Sequence, residues 1–168
     1  MSSTTEVISH WSTLIEGFQY SPQQFYNLVA EAVTKRNIPD AVIGKVQFKE
    51  GNLLSAKREY LRIYCKNEFY FAICGAPFGT GFFVSWWLLQ PPDGCLASMF
   101  APFPILSLIA KALVKPWTYY RVDTVTMFQT ATNSAVQEVI QAITSERGIQ
   151  ALPEAERKPV MREFFQQI

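Results

Sequence analysis

A chain of 168 residues, 49% hydrophobic and 14% aromatic, has the size of one ordinary domain and is too apolar to be disordered. Its formal charge of +1 excludes a global field that would draw it to nucleic acid or an anionic surface, so any electrostatic recognition has to be local. Cys65, Cys74 and Cys95 lack metal-ligand spacing and no basic-then-apolar leader pattern opens the sequence, which favours free thiols in a cytoplasmic setting.

In chain order, Ser3 and Glu6 have capping-box spacing, and Val7, Trp11, Leu14, Ile15 and Phe18 recur at helical intervals. That predicts a short amphipathic helix ending near Gly17. Ser21-Pro22-Gln23-Gln24 supplies a cap, a first-turn proline and a capping-box glutamine ahead of Phe25, Leu28, Val29, Ala32 and Val33. This second helix should run to about Arg36, stopped by Asn37 and Pro39.

From Val42 the period becomes two. Val42, Gly44, Val46 and Phe48 face one way, and Ile43, Lys45, Gln47 and Lys49 the other. After the turn signal Glu50-Gly51-Asn52, a strand from Ala56 to Lys66 puts Lys57, Glu59, Leu61, Ile63 and Cys65 on one face and Arg58, Tyr60, Arg62, Tyr64 and Lys66 on the other. Glu68 to Gly75 is predicted as a third strand, residues 77–81 as a loop, and Gly81 to Gln90 as a fourth strand. Being apolar on both faces, the fourth should be central or doubly covered.

Pro91-Pro92-Asp93-Gly94 ends that strand, and Asp93 is the single formal charge between Phe69 and Ala110. Residues Cys95 to Val114 are mostly apolar and long enough to cross a bilayer, but Pro102 and Pro104 interrupt them. Membrane insertion, a buried connector and a partner interface all fit this excursion. Trp117 to Arg121 suggests a short fifth strand. Asp123 is placed to cap a long helix striped by Val125, Phe128, Val136, Val139, Ile140 and Ile143, with Gly148 at its C-terminal end. Pro153, Pro159, Val160, Met161, Phe164 and Phe165 fit two short amphipathic turns. Together these predict one α+β domain over residues 1–168: an antiparallel meander of four to five strands with helices on one face, an N-terminal helical pair and a long C-terminal helix.

Two groups of residues stand out as candidate contacts. Between Lys45 and Lys66 there are six basic and two acidic residues, and Lys45, Lys49, Arg58, Tyr60, Arg62, Tyr64 and Lys66 form a basic, aromatic set suited to lipid headgroups or other anions, and less so to nucleic acid. A solvated sheet face explains the same residues without any ligand. Leu96, Met99, Phe100, Phe103, Ile105, Leu106, Leu108, Ile109 and Trp117 would meet a membrane or a protein partner, including a second copy of the chain.

Catalytic signals are weaker. Gly79-Thr80-Gly81 lacks the Lys-Ser/Thr ending of a phosphate loop and is best read as a turn. His10 is the one histidine, so a cysteine nucleophile would need it brought across the fold, and no metal site is spelled out. Asp93 sits between Pro92 and Gly94, as at an exposed turn. The expectation is a non-enzymatic, membrane-associated or assembly-forming module without a cofactor, at the cytoplasmic face of a membrane if the excursion meets lipid. The alternatives are a binder of an apolar or amphipathic small ligand, lined by Phe82, Phe83, Trp86 and Trp87, and a cysteine-dependent enzyme.

Overall fold

The computed structural model describes residues 5–49, 57–65, 68–91, 117–149 and 153–161. Lys66, Asp93, the whole apolar excursion 95–114, and Phe164 and Phe165 lie outside the described residues. The elements are β1 (Glu6–Ile15), α1 (Pro22–Lys35), β2 (Ala41–Lys49), β3 (Lys57–Cys65), β4 (Phe69–Phe78), β5 (Gly81–Gln90), α2 (Tyr119–Ser145), a 3₁₀ turn (Glu154–Arg157) and β6 (Val160–Met161). All strand pairs are antiparallel, and they form a 6-stranded sheet in the order β2-β3-β4-β5-β1-β6.

The α+β class is therefore as expected, with a larger sheet and a different start. The first segment is a strand, not a helix, so there is no N-terminal helical pair. Val7, Trp11, Leu14 and Ile15 satisfy a helical period, but Ser9, Trp11, Thr13 and Ile15 are buried at a period of two, against β5. A register shift between Val7 and Ser9 inserts Ile8, which is also buried. That bulge places two buried residues in succession and disguises the alternation.

Helix α1 begins as its sequence specifies: Ser21 accepts from the Gln24 amide at 3.4 Å, and Pro22 opens the first turn. Its buried side, Phe25, Tyr26, Val29, Ala32 and Val33, lies on the sheet. After Arg36 the chain turns through Asn37 and Asp40, both in left-handed backbone conformation (φ 47° and 56°), and enters β2. Strand β4 runs three residues beyond the expected end and joins β5 through Gly79-Thr80, with Gly79 at φ 58°.

The pairings sort the paired strand residues onto two faces. Leu61, Ile63 and Cys65 of β3, Phe69, Phe71 and Ile73 of β4, and Phe82, Val84, Trp86 and Leu88 of β5 share the inner face and are at most 4% exposed. Against them lies the stripe of α2, with Val125, Phe128, Ala135, Val136, Ile140 and Ile143 buried. Phe71 meets Trp86 and Phe128 edge-on, each with ring centroids 5.1 Å apart, so the centre of the layer is filled.

Helix α2 starts earlier than Asp123. Thr118 caps it, accepting from the Arg121 amide at 3.3 Å, so the expected fifth strand over Trp117 to Arg121 is instead a cap and first turn. Val160 and Met161, expected in an amphipathic turn, pair with His10 and Ser9 as β6. The Trp11 indole N–H donates to the Glu156 carbonyl, fixing the 3₁₀ turn over β1. Gly148 adopts φ 69° just past α2, as a C-terminal glycine should.

Candidate functional site

The outer face of the sheet follows from the same registers. It presents Val42 and Val46 from β2, Arg58, Tyr60, Arg62 and Tyr64 from β3, and Tyr70 and Cys74 from β4. Phe83, Trp87 and Leu89 come from β5, and Val7, His10 and Leu14 from β1. No described helix packs on this face, yet its centre is covered: Tyr70, Ala72, Cys74 and Ser85 are at most 8% exposed, and only the flanking residues meet solvent. Val42 is 61% exposed, Leu14 41% and Trp87 39%, large apolar groups that water ordinarily disfavours when clustered. Among the described residues the outer positions include no carboxylate: Glu59 falls on the inner side beside Leu61, and Glu6 shares the inner row of Gln90.

The aromatic groups are braced rather than loose. His10 stacks on Trp87 at 4.8 Å. Tyr64 and Tyr70 pack at 5.4 Å, and the Arg62 guanidinium lies 4.9 Å over the Tyr70 ring while Nη1 donates to the Tyr64 hydroxyl at 3.0 Å. One cation is thereby held within an aromatic patch.

Of the basic set expected from sequence, the structure brings Arg58, Tyr60, Arg62 and Tyr64 together on this face. Lys45 is not with them. Its partner in the ladder is Leu61, so it lies on the inner side, and its Nζ donates to Asn27 Oδ1 of α1 at 3.3 Å. Lys49 pairs with Lys57 at the same parity, and Lys66 lies outside the described residues. Alternation fixes which residues of β2 share a side. It does not fix which side of β3 they join.

Leu96, Met99, Phe100, Phe103, Ile105, Leu106, Leu108 and Ile109 lie outside the described residues. Trp117 is half-buried, stacked near Phe69 at 6.0 Å with the Arg121 guanidinium 4.7 Å over its ring. Arg121 is 6% exposed and faces Glu68 across 3.6 Å. The suggested pocket of Phe82, Phe83, Trp86 and Trp87 is divided: the even-numbered pair is fully buried on the inner face and the odd-numbered pair lies outside, so one cavity cannot be lined by all four.

The cysteines sit apart from the histidine. Cys65 is on the inner face and Cys74 on the outer, both buried. In the outer face Cys74 shares a row with Ser85 and Ser12, while His10 shares one with Trp87 and Ala72, two strand widths (about 10 Å) from β4. Burial pushes the Cys74 thiol up, an effect only partly offset by the nearby Arg58 charge and the Tyr26 hydroxyl. Site-resolved alkylation should find Cys65 and Cys74 reacting many-fold more slowly in the folded protein than in urea; labelling at the rate of a free cysteine would mean an activated thiolate. Among the described residues no three His, Cys, Asp or Glu side chains cluster to hold a metal ion.

A concave feature lies at the N-terminal half of α2, where a cavity of about 360 Å³ opens between that helix, the α1–β2 connection and the end of β3. Sequence reasoning missed it, because its walls come from three separate segments.

No family model matches the sequence, and no curated protein matches it significantly. Among solved structures, the chain is similar to the di-domain ARO/CYC StfQ from the steffimycin biosynthetic pathway, at 10% identity over 84% of this chain and 52% of that one, with a TM-score of 0.34. It is also similar to TTHA0849 from Thermus thermophilus, at 11% identity over 80% and 97% of the two chains, with a TM-score of 0.25. The chain spans about half the length of StfQ. Likeness at this level assigns the chain to no family.

Proposed function

We propose that this chain is a non-enzymatic interaction module that binds an anionic membrane surface through the outer face of its sheet. The observation that carries this reading is the make-up of the accessible part of that face: Arg58 and Arg62 among Tyr60, Tyr64 and Trp87, with no carboxylate among the described outer positions. Guanidinium groups pair with phosphate oxygens in a bidentate manner, and tyrosine and tryptophan suit the boundary between headgroup and acyl chain. The apolar composition of residues 95–114 supports attachment from the sequence side, as the second part of the same proposal. No helix among the described residues is long and apolar enough to cross a membrane.

Each arginine near an anionic bilayer contributes about 1 kcal/mol, so losing two should weaken binding roughly thirty-fold. The full chain is expected to co-sediment with phosphatidylcholine vesicles containing phosphatidylserine, and the Arg58→Gln/Arg62→Gln protein to need about thirty times more lipid. Equal binding by both proteins, or none by the wild type, would remove the outer face from the function. Self-association of the wild type in the absence of lipid, abolished by Trp87→Ser, would replace the membrane by a second copy as the occupant of the face.

A further inference from the structure

The cavity beside α2 is independent of the outer face, since it lies on the opposite side of the sheet. Its floor is Cys65 and Phe128, 4% and 2% exposed. Ile38 and Pro39 form one wall, held between Asn37 and Asp40, whose left-handed backbone sends the chain sharply over β3. Non-glycine residues in that conformation cost some strain, and here they fix a short apolar ledge beside an opening. The other wall is about three turns of α2: Tyr120, Thr124, Met127 and Ala131, with Tyr120 71% and Met127 63% exposed at the rim.

The polar groups of the cavity are already engaged. Arg36 donates from Nη1 to the Ala32 carbonyl at 2.8 Å and from Nη2 to Glu138 at 2.6 Å. Thr124 Oγ1 donates to the Tyr120 carbonyl at 2.8 Å. No uncompensated charge points at the space, which disfavours a carboxylate, phosphate or ammonium group. A volume near 360 Å³ is at the small end of ligand cavities, which run from about 300 to 1,000 Å³, and the lining is mostly apolar, as theirs is.

We infer that the cleft between α2 and the α1–β2 connection is a binding site for a small uncharged aromatic or aliphatic molecule, seated on Cys65 and Phe128 and covered at its mouth by Met127 and Tyr120. Selectivity comes from shape and from the absence of a counter-charge. The ledge at Ile38-Pro39 sets the width of the site, and Ala131, the smallest side chain in its wall, leaves the volume that the ligand fills.

The test uses N-phenyl-1-naphthylamine, a neutral probe whose fluorescence rises on leaving water, titrated into the full chain. Saturable enhancement is expected with the wild type. Ala131→Trp, which fills the cleft from a half-exposed position, should weaken it at least ten-fold, and Thr124→Phe should do the same from the other end of the wall. Far-ultraviolet circular dichroism verifies that each variant is folded, and the second serves if the first is not. Arg58→Gln/Arg62→Gln should bind the probe as the wild type does, so loss of the membrane reading leaves this one standing. Absence of saturable binding in the wild type, or undiminished binding in the folded variants, would overturn the assignment.

Discussion

Trp86→Ala is expected to lower the unfolding free energy by about 3–5 kcal/mol, a large part of what a domain of this size has. The side chain is fully buried on the inner face of β5, meets Phe71 edge-on at 5.1 Å, and donates its indole N–H to Asn133 Oδ1 of α2 at 3.1 Å. Phe71 in turn meets Phe128, so one residue ties β5, β4 and α2 together. Removing it leaves a cavity between layers that cannot close without moving the helix, and strands an amide oxygen. The comparison is Trp87→Ala, one residue along, whose ring is 39% exposed on the outer face and should cost only about 1 kcal/mol. Urea denaturation measures both. Equal losses would contradict the assignment of the two faces.

Tyr26→Phe should cost about 3 kcal/mol although it deletes a single oxygen. The ladder between β3 and β4 is paired from Cys65↔Phe69 to Leu61↔Ile73, and beyond that point the strands part. The Tyr26 hydroxyl fills the gap, donating to the Glu59 carbonyl at 2.7 Å and accepting from the Gly75 amide at 3.1 Å. Phenylalanine would leave both backbone groups unpaired in a buried setting. Gly75 belongs to the same junction, because a Cβ there would come within 2.6 Å of Phe25 Cδ1.

Burial raises the Tyr26 phenol well above its ordinary value of 10.0, with the Gly75 hydrogen bond opposing in part. The sign follows from proton counting. Above pH 10 the unfolded chain gives up this proton while the folded chain keeps it, so the contribution is complete below pH 10 and falls as pH rises, by about 1.4 kcal/mol per unit. Cys74 acts in the same direction from its ordinary 9.0. The difference between wild type and Tyr26→Phe isolates the tyrosine: the wild type should lose stability faster above pH 10, and parallel curves would show that the hydroxyl is not buried as described.

Much of the architecture is legible where a local rule and the tertiary structure agree. Ser21-Pro22 marks the start of α1, the stripe from Val125 to Ile143 buries as expected, and the alternation in Arg58 to Tyr64 puts those four residues on one face. Misreadings fall where a distant partner decides. Val7 to Ile15 is a strand because β5 and β6 flank it, and the bulge at Ile8 hides its period from any local count. Thr118 is inconspicuous as a cap because Trp117, Tyr119 and Tyr120 have the composition of a strand, and β6 has no periodicity over two residues. The candidate face is half visible: its arginines, with Tyr60 and Tyr64, come from one strand, whereas Tyr70 and the apolar remainder, Phe83, Trp87, Leu14 and Val7, depend on the order of strands across the sheet.

The place of β1 in that order bears on how the molecule is made. This strand is synthesised ahead of all the others described, yet its ladder partners are β5 and the two residues of β6. While β2, β3 and β4 can zip together in sequence as they leave the ribosome, β1 has to wait through the whole meander before its first neighbour exists, and Trp11 waits longer still for the Glu156 carbonyl. Pairings of such long range make for slow closure, and in the interval an apolar strand with two open edges is exposed to other nascent chains. Substitutions in β1 should accordingly lower the yield of folded protein by more than they lower the stability of what has folded.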